Sequence, residues 1–225
     1  MPANLPLVLG FDTSAAHCAA ALVQGNQTLA SHYVEMKRGQ AEHLMPLLEQ
    51  ILAQGGVAWS DLSAVAVGTG PGNFTGIRIG VSAARGLALS LGIPAIGVSL
   101  FQVIADGAGD DPALVALTAP RGQAYLQLFD QGVARGKPMM HDPSAPDTGL
   151  AVMGATRVIG QDAQTISAAL GLVAQPREIT DLAPRLTRIA LRIFEAGDPI
   201  DRPAPLYVRA ADAAPPSDPP PLILD

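Results

Sequence analysis

The sequence predicts an α/β fold built from two units, and three observations carry that reading. Short apolar runs alternate with helical patterns through the first hundred residues in the order β-β-β-α-β-α-β. A glycine-rich turn joins a buried apolar segment to a helix, and the pattern restarts beyond an acidic, glycine-containing stretch at residues 106–111. A chain of 225 residues, 48% hydrophobic and 15% charged, can bury the core of one large or two small domains. The expected organisation is a first unit at 1–105, a smaller α/β unit at 106–212 and a tail at 213–225, where residues 214–221 hold five of the 20 prolines.

Residues 7–11 form an apolar run, 12–17 read as a turn, and 18–23 are a second apolar run followed by Gly25-Asn26, which together make a β-hairpin. Residues 27–36 add a third strand, with Leu29, Tyr33 and Val34 among polar neighbours. Over 42–54, Leu44, Leu48, Ile51 and Leu52 fall at helical spacing with Leu47 beside them, and Gly55-Gly56 ends the pattern. Pro46 means that this helix begins near His43 or bends there. The apolar run 62–67 then enters the glycine turn, residues 76–91 are helical up to Gly92 and Pro94, and 94–98 is again strand-like. In the second unit, 114–117 and 124–129 flank Pro120-Arg121-Gly122 as a hairpin, 152–159 is a strand, and 163–172 and 182–196 are helical. No internal repeat is visible in the sequence.

Composition excludes several functions. No apolar stretch reaches the roughly 20 residues that span a bilayer, and residues 1–9 lack the basic start of a signal peptide, so a cytoplasmic location without a membrane partner is expected. The single Cys18 can form no disulfide within the chain and no zinc knuckle, and reads as a small core residue. The net charge is −6, and the basic residues are mostly scattered arginines with only Lys37 and Arg38 adjacent, which is not the footprint of an autonomous nucleic-acid binder. His17, His32, His43 and His141 are too dispersed to imply a metal site by spacing, and Ser14 and Ser99 show no companion base and no nucleophile elbow.

Gly68, Gly70 and Gly72 permit positive φ angles and close backbone approach, and the helix that follows offers free N–H groups to an anion. Asn73 or Thr75 can satisfy the same donors as an N-cap, so both an anion cradle and a plain capped turn stay open. Along the helix, Gly76, Gly80, Ala84 and Ala88 recur every four residues. Two interior glycines cost about 1 kcal/mol each relative to alanine, which calls for a neighbour packed close against them. That neighbour is either the chain's own sheet or another subunit. Arg78, Ser82 and Arg85 lie on a different face.

The segment Gly68-Thr69-Gly70-Pro71-Gly72-Asn73-Phe74-Thr75-Gly76-Ile77-Arg78-Ile79-Gly80, followed by Ala84-Arg85-Gly86-Leu87-Ala88, resembles the signature of the TsaB (YeaZ) family. So do Asp12-Thr13-Ser14, His43-Leu44-Met45-Pro46-Leu47-Leu48, Gly92-Ile93-Pro94 and the late Pro205-Leu206-Tyr207-Val208-Arg209. The resemblance implies an actin-like ATPase (ribonuclease-H-like) fold with two similar subdomains of mixed sheets and flanking helices. It also implies a non-catalytic scaffold, without a cofactor, that pairs with a TsaD-like catalytic subunit and a TsaE-like ATPase. Together these make threonylcarbamoyladenosine beside the tRNA anticodon, and this subunit meets tRNA only through the complex.

The same resemblance places the partner surface on two helices, at His43, Leu44, Leu47, Leu48 and Ile51 and at Gly76, Ile77, Gly80, Ala84 and Ala88. In phosphate-binding relatives of the fold an early aspartate organises a metal-bound nucleotide, which makes Asp12, Thr13, Ser14, Gly70 and Gly72 candidate phosphate contacts; Asp12 can equally close a turn on its own backbone. Catalytic relatives carry two metal-binding histidines after the next strand, where Leu100 and Ile104 stand here. Departures from the family pattern are Asn73 for a usual serine, Val208 for leucine, and Thr118-Ala119-Pro120 before Arg121. Two alternatives remain, an independent nucleotide hydrolase or peptidase-like enzyme, and a homodimer using the same helix face.

Overall fold

A computed structural model describes residues 5–144 and 154–208. The proline-rich segment and Arg209 lie outside the described residues, as do residues 152–153 of the strand expected at 152–159.

The first sheet begins with a meander of β1 (Leu7–Asp12), β2 (His17–Gln24) and β3 (Gln27–Glu35). Helix α1 (Gln40–Gly55) then leads to β4 (Ala64–Gly68), and α2 (Phe74–Leu91) leads to β5 (Ala95–Val98). The strand order is β3-β2-β1-β4-β5, with β1 antiparallel to β2 and parallel to β4. Each helix return brings the next strand back parallel, as a crossover of this length requires. Helix α1 runs through Pro46, starting at Gln40 rather than at His43, and ends at Gly56 in the left-handed conformation.

Helix α3 (Leu100–Ala105) is opened by a reciprocal cap. The Ser99 N–H donates to Gln102 Oε1 at 2.8 Å, and the Gln102 N–H donates to Ser99 Oγ at 3.2 Å. Ser99 is therefore a helix cap. The second sheet follows, from β6 (Ala113–Thr118), β7 (Ala124–Asp130), β8 (Val133–His141), β9 (Arg157–Gly160) and β10 (Val173–Pro176), with α4 (Ala163–Leu170) between the last two strands. Its order, β10-β9-β6-β7-β8, repeats that of the first sheet, again with one antiparallel meander and two parallel neighbours. The duplication that no sequence repeat announces is present in the topology.

Alternation along β1 distributes its side chains between two cores. Leu7, Leu9 and Phe11 face α1 and α2, while Val8 faces the other side. On that other side lie α3 and α5 (Leu182–Ala196), packed between the two sheets. Helix α5, from the second half of the chain, covers β1, β2 and β4; α3, from the first half, packs on β6 and β9. A Cβ on Gly10 would stand 2.0 Å from Thr187 Oγ1, so the glycine lets α5 approach the centre of the first sheet. Helix α4 covers the outer face of the second sheet with Ala163 and Ile166 against Leu114, Leu126 and Val158. Among the described residues no helix is long and apolar enough to cross a membrane.

Candidate functional site

The turn after β1 is organised by Asp12, which is fully buried. Its Oδ1 accepts three hydrogen bonds: from the Ser14 N–H at 2.9 Å, from Ser14 Oγ at 2.8 Å, and from His17 Nε2 at 2.7 Å. The last contact joins the imidazole of β2 to the carboxylate of β1. Its ring lies 5.1 Å from that of Tyr33 on the neighbouring strand. Asp12 Oδ2 is buried with no hydrogen-bond partner among the described residues, and it rests over Gly68, where a Cβ would stand only 1.6 Å away.

The glycine turn wraps this same segment. Thr13 Oγ1 donates to the Gly76 carbonyl at 2.7 Å, and the Asn73 N–H donates to the Ser14 carbonyl at 2.6 Å. A Cβ on Gly72 would stand 2.2 Å from the Ser14 oxygen, and one on Gly76 would stand 2.1 Å from the Thr13 oxygen. Gly70 holds φ at 94° with Ile77 packed beneath it. At the start of α2 the Asn73 side chain accepts from the Gly76 N–H at 2.9 Å. The acceptors gathered at this helix end are thus the chain's own, a carboxamide and a backbone carbonyl, which is the capped-turn arrangement.

The expected partner-facing residues lie elsewhere than a free surface. Leu44, Leu47, Leu48, Ile51, Ile77 and Ala84 are buried in the core between α1, α2 and the first sheet, and Gly76, Gly80 and Ala88 are buried on the same inner face. A Cβ on Gly80 would meet Thr13 Oγ1 at 2.8 Å and Val67 at 3.3 Å, so the small-residue stripe of α2 serves contact with the chain's own sheet. Only His43 of this set is half exposed, with Nε2 unpartnered among the described residues.

What α1 and α2 present outward is different. Met45, Phe74 and Leu89 are exposed, the last by 84%. Near the start of α2, Arg78 sits 3.8 Å above the Phe74 ring, Tyr207 stacks on Phe74 at 5.1 Å, and Arg78 Nε donates to the Tyr207 hydroxyl at 2.7 Å. This cluster joins residues 129 positions apart, so sequence spacing could not reveal it. The Tyr207 motif supplied the only signal.

Between the two sheets opens a cleft of about 630 Å³. Ser14, His17 and Tyr33 line it from the first half, Thr118, Tyr125 and Gln161 from the second, with Leu100 and Leu117 among the apolar groups. Among the described residues no lysine, arginine, aspartate or glutamate contributes to its lining. The cleft does not fit a metal-bound nucleotide. Asp12 Oδ1 is saturated, Oδ2 is closed over by Gly68, and among the described residues no three His, Cys, Asp or Glu side chains cluster as ligands and no lysine or arginine lines the cleft to face a phosphate. Of the five candidate phosphate contacts, Ser14 and Gly72 reach the cleft wall, while Asp12 and Thr13 are buried behind it and Gly70 packs on Ile77.

Leu100 stands at the start of α3 with its N–H bonded to the Gly70 carbonyl at 2.8 Å, and Ile104 is wholly buried in the central core. Neither side chain can ligate a metal.

A family model described as TsaD: tRNA N6-adenosine threonylcarbamoyltransferase matches residues 31–143. The chain is 35% identical over 137 residues to the tRNA threonylcarbamoyladenosine biosynthesis protein TsaB of Escherichia coli (strain K12), covering 58% of this chain and 59% of that protein. It spans about three fifths of that relative's length. A crystal structure of an uncharacterized protein with similarity to peptidase YEAZ from Pseudomonas aeruginosa superposes with a TM-score of 0.71 at 26% identity, covering 91% of this chain and 100% of that one. Component A of the Acidaminococcus fermentans (R)-2-hydroxyglutaryl-CoA dehydratase matches with a TM-score of 0.51 at 10% identity, over 86% of this chain and 100% of that one, a likeness of fold alone. The architecture is the actin-like ATPase (ribonuclease-H-like) fold that the sequence resemblance implied.

Proposed function

The chain belongs to the family that the TsaD model describes, in its TsaB (YeaZ) branch, and on that premise we propose that it is a non-catalytic subunit pairing with a TsaD-like threonylcarbamoyltransferase. The pair, with a TsaE-like ATPase, acts in forming N6-threonylcarbamoyladenosine next to the tRNA anticodon, and this subunit meets tRNA only within the complex. The observation that carries the reading is the outward side of α1 and α2. Their inner faces are spent on the chain's own sheet, while Met45 of α1 and Phe74 and Leu89 of α2 stay exposed, Phe74 beneath Arg78. Exposed aromatic, thioether and guanidinium groups are a composition that protein interfaces favour. The partner surface is thus the opposite side of the two helices from the residues that periodicity singles out.

A passive chemical role is supported by Leu100 and Ile104 at the positions of the histidine pair, and by an Asp12 whose Oδ1 already accepts three hydrogen bonds. Co-purification with the TsaD-like protein tests the pairing, using Met45→Asp and Phe74→Asp as disrupting variants. Loss of the complex is the expected result in both variants, with unchanged thermal stability of the free chain in Met45→Asp; undiminished pairing in both variants counts against the surface.

The unpartnered Asp12 Oδ2 favours one rival, an autonomous nucleotide hydrolase or peptidase-like enzyme. ATP or peptide turnover by the isolated chain that disappears in Asp12→Ala would establish it.

A further inference from the structure

The cleft between the sheets has the size of a small-molecule site and a lining unlike a phosphate site. Ligand pockets commonly enclose a few hundred cubic ångströms, with apolar and aromatic walls and a few polar groups that orient the guest. Here about 630 Å³ is enclosed, Tyr33 and Tyr125 supply aromatic rings, and Leu100, Leu117, Ile179 and Leu182 supply apolar walls.

Apart from His17, the polar side chains among the described lining residues carry no charge and are of both hydrogen-bonding senses. Asn73 spends its Oδ1 on the Gly76 N–H, which leaves its amide N–H groups to donate. Gln161 donates through Nε2 to Glu178 at 3.4 Å, which leaves its Oε1 to accept. His17 is held through Nε2 on Asp12, which leaves Nδ1 as its second polar atom. At the end of the cleft where a phosphate would meet a helix N-terminus, Ser14 turns its carbonyl toward the Asn73 N–H and Gly72 instead. An anion there would face a carbonyl oxygen, and among the described residues no lysine or arginine lines the cleft to compensate it.

We propose that this cleft binds an uncharged heteroaromatic ligand of the nucleoside class and discriminates against the nucleotide phosphates. Neutral donors and acceptors match the edge of a base, tyrosine rings offer stacking faces, and the absent charge matches an unphosphorylated sugar.

The test is calorimetric titration of the purified full chain with adenosine and, separately, with ATP and Mg²⁺, in the wild type and in Thr118→Trp. Thr118 is exposed at the cleft wall, so a tryptophan there fills the opening without entering the core. The expected result is saturable adenosine binding with a Kd below about 1 mM, ATP binding at least tenfold weaker, and at least tenfold loss of adenosine affinity in Thr118→Trp at an unchanged melting temperature. Gln161→Ala, also exposed, is the second variant should the first fold poorly, with a smaller loss of affinity expected. ATP binding as tightly as adenosine, adenosine failing to saturate at about 10 mM, or both variants binding adenosine like the wild type each overturns the proposal.

Discussion

Gly80 lies directly against Thr13, with 2.8 Å between the position of an added Cβ and the threonine hydroxyl. That hydroxyl is held by its bond to the Gly76 carbonyl and is not free to swing away. Gly80→Ala is therefore expected to destabilise the protein by about 1–3 kcal/mol through overpacking. Gly86, on the same helix, has nothing within 4 Å of an added Cβ. There the alanine is expected to stabilise by roughly 0.5–1 kcal/mol through helix propensity. Urea midpoints of the two variants check both signs, and shifts in the same direction would contradict the packing account.

Burial pushes the Cys18 thiol up from 9.0 to about 11, with the Asp12 charge as a second contribution. The native thiol thus stays neutral where an unfolded one ionises, so folding holds the extra proton between these two values. The stability this provides is complete below pH 9, declines as pH rises above it, and is gone above about 11. In Asp12→Asn the native thiol should ionise at lower pH. Titration of the thiolate absorbance in the folded protein checks this, as does slow alkylation near neutral pH.

Arg177 closes the end of α3. Its guanidinium donates to the Ile104 carbonyl at 2.6 Å, to that of Asp106 at 2.8 Å and to that of Gly107 at 3.3 Å. Burial, with Arg185 close by, holds its pKa below the ordinary arginine value. Arg177→Met takes this donor from the Ile104 and Gly107 carbonyls, while that of Asp106 keeps Arg185 at 3.1 Å, and is expected to cost about 1–3 kcal/mol in chemical denaturation. Lysine at this position, a point charge without the fork, should recover less than half of that loss.

Tyr207 fastens the last described residues onto α2 through its stack on Phe74 and its bond from Arg78, alongside the Leu206 N–H donated to the Thr69 carbonyl at 2.8 Å. Tyr207→Ala should cost about 0.5–1.5 kcal/mol and speed hydrogen exchange at the Leu206 amide. Unchanged protection there would mean that the aromatic stack does not hold the segment.

The sequence made visible what depends on near neighbours. The hairpin of β1 and β2, helices α1 and α2, and α5 at residues 182–196 all follow from apolar spacing and glycine stops. Helix α3 has six residues, too few for a periodic signal, and only its Ser99–Gln102 cap marks it. The edge strand β8 carries Gly136 and Pro138 and is mostly exposed, so no apolar alternation reveals it. Periodicity also grouped Leu44, Leu48 and Ile51 on one face, and Gly76, Gly80 and Ala84 on another, without showing what covers each face. The covering element is the chain's own sheet. The Asp12 turn was legible as a turn, but its bond to His17 was not, because it depends on where β2 sets the imidazole.

The exchange of α3 and α5 between the two sheets bears on how this protein comes apart. Residue 106 divides the sheets along the sequence, but a chain ended there would lack Leu186 and Ala190, and with them the cover over Val8, Ala64 and Ala66. The remaining half would lack Phe101 and Ile104 beneath β6 and β9. Each portion keeps its outer core but loses the central one, so the two halves are expected to unfold in a single cooperative step, and nascent chains lack that central core until α5 has been synthesised.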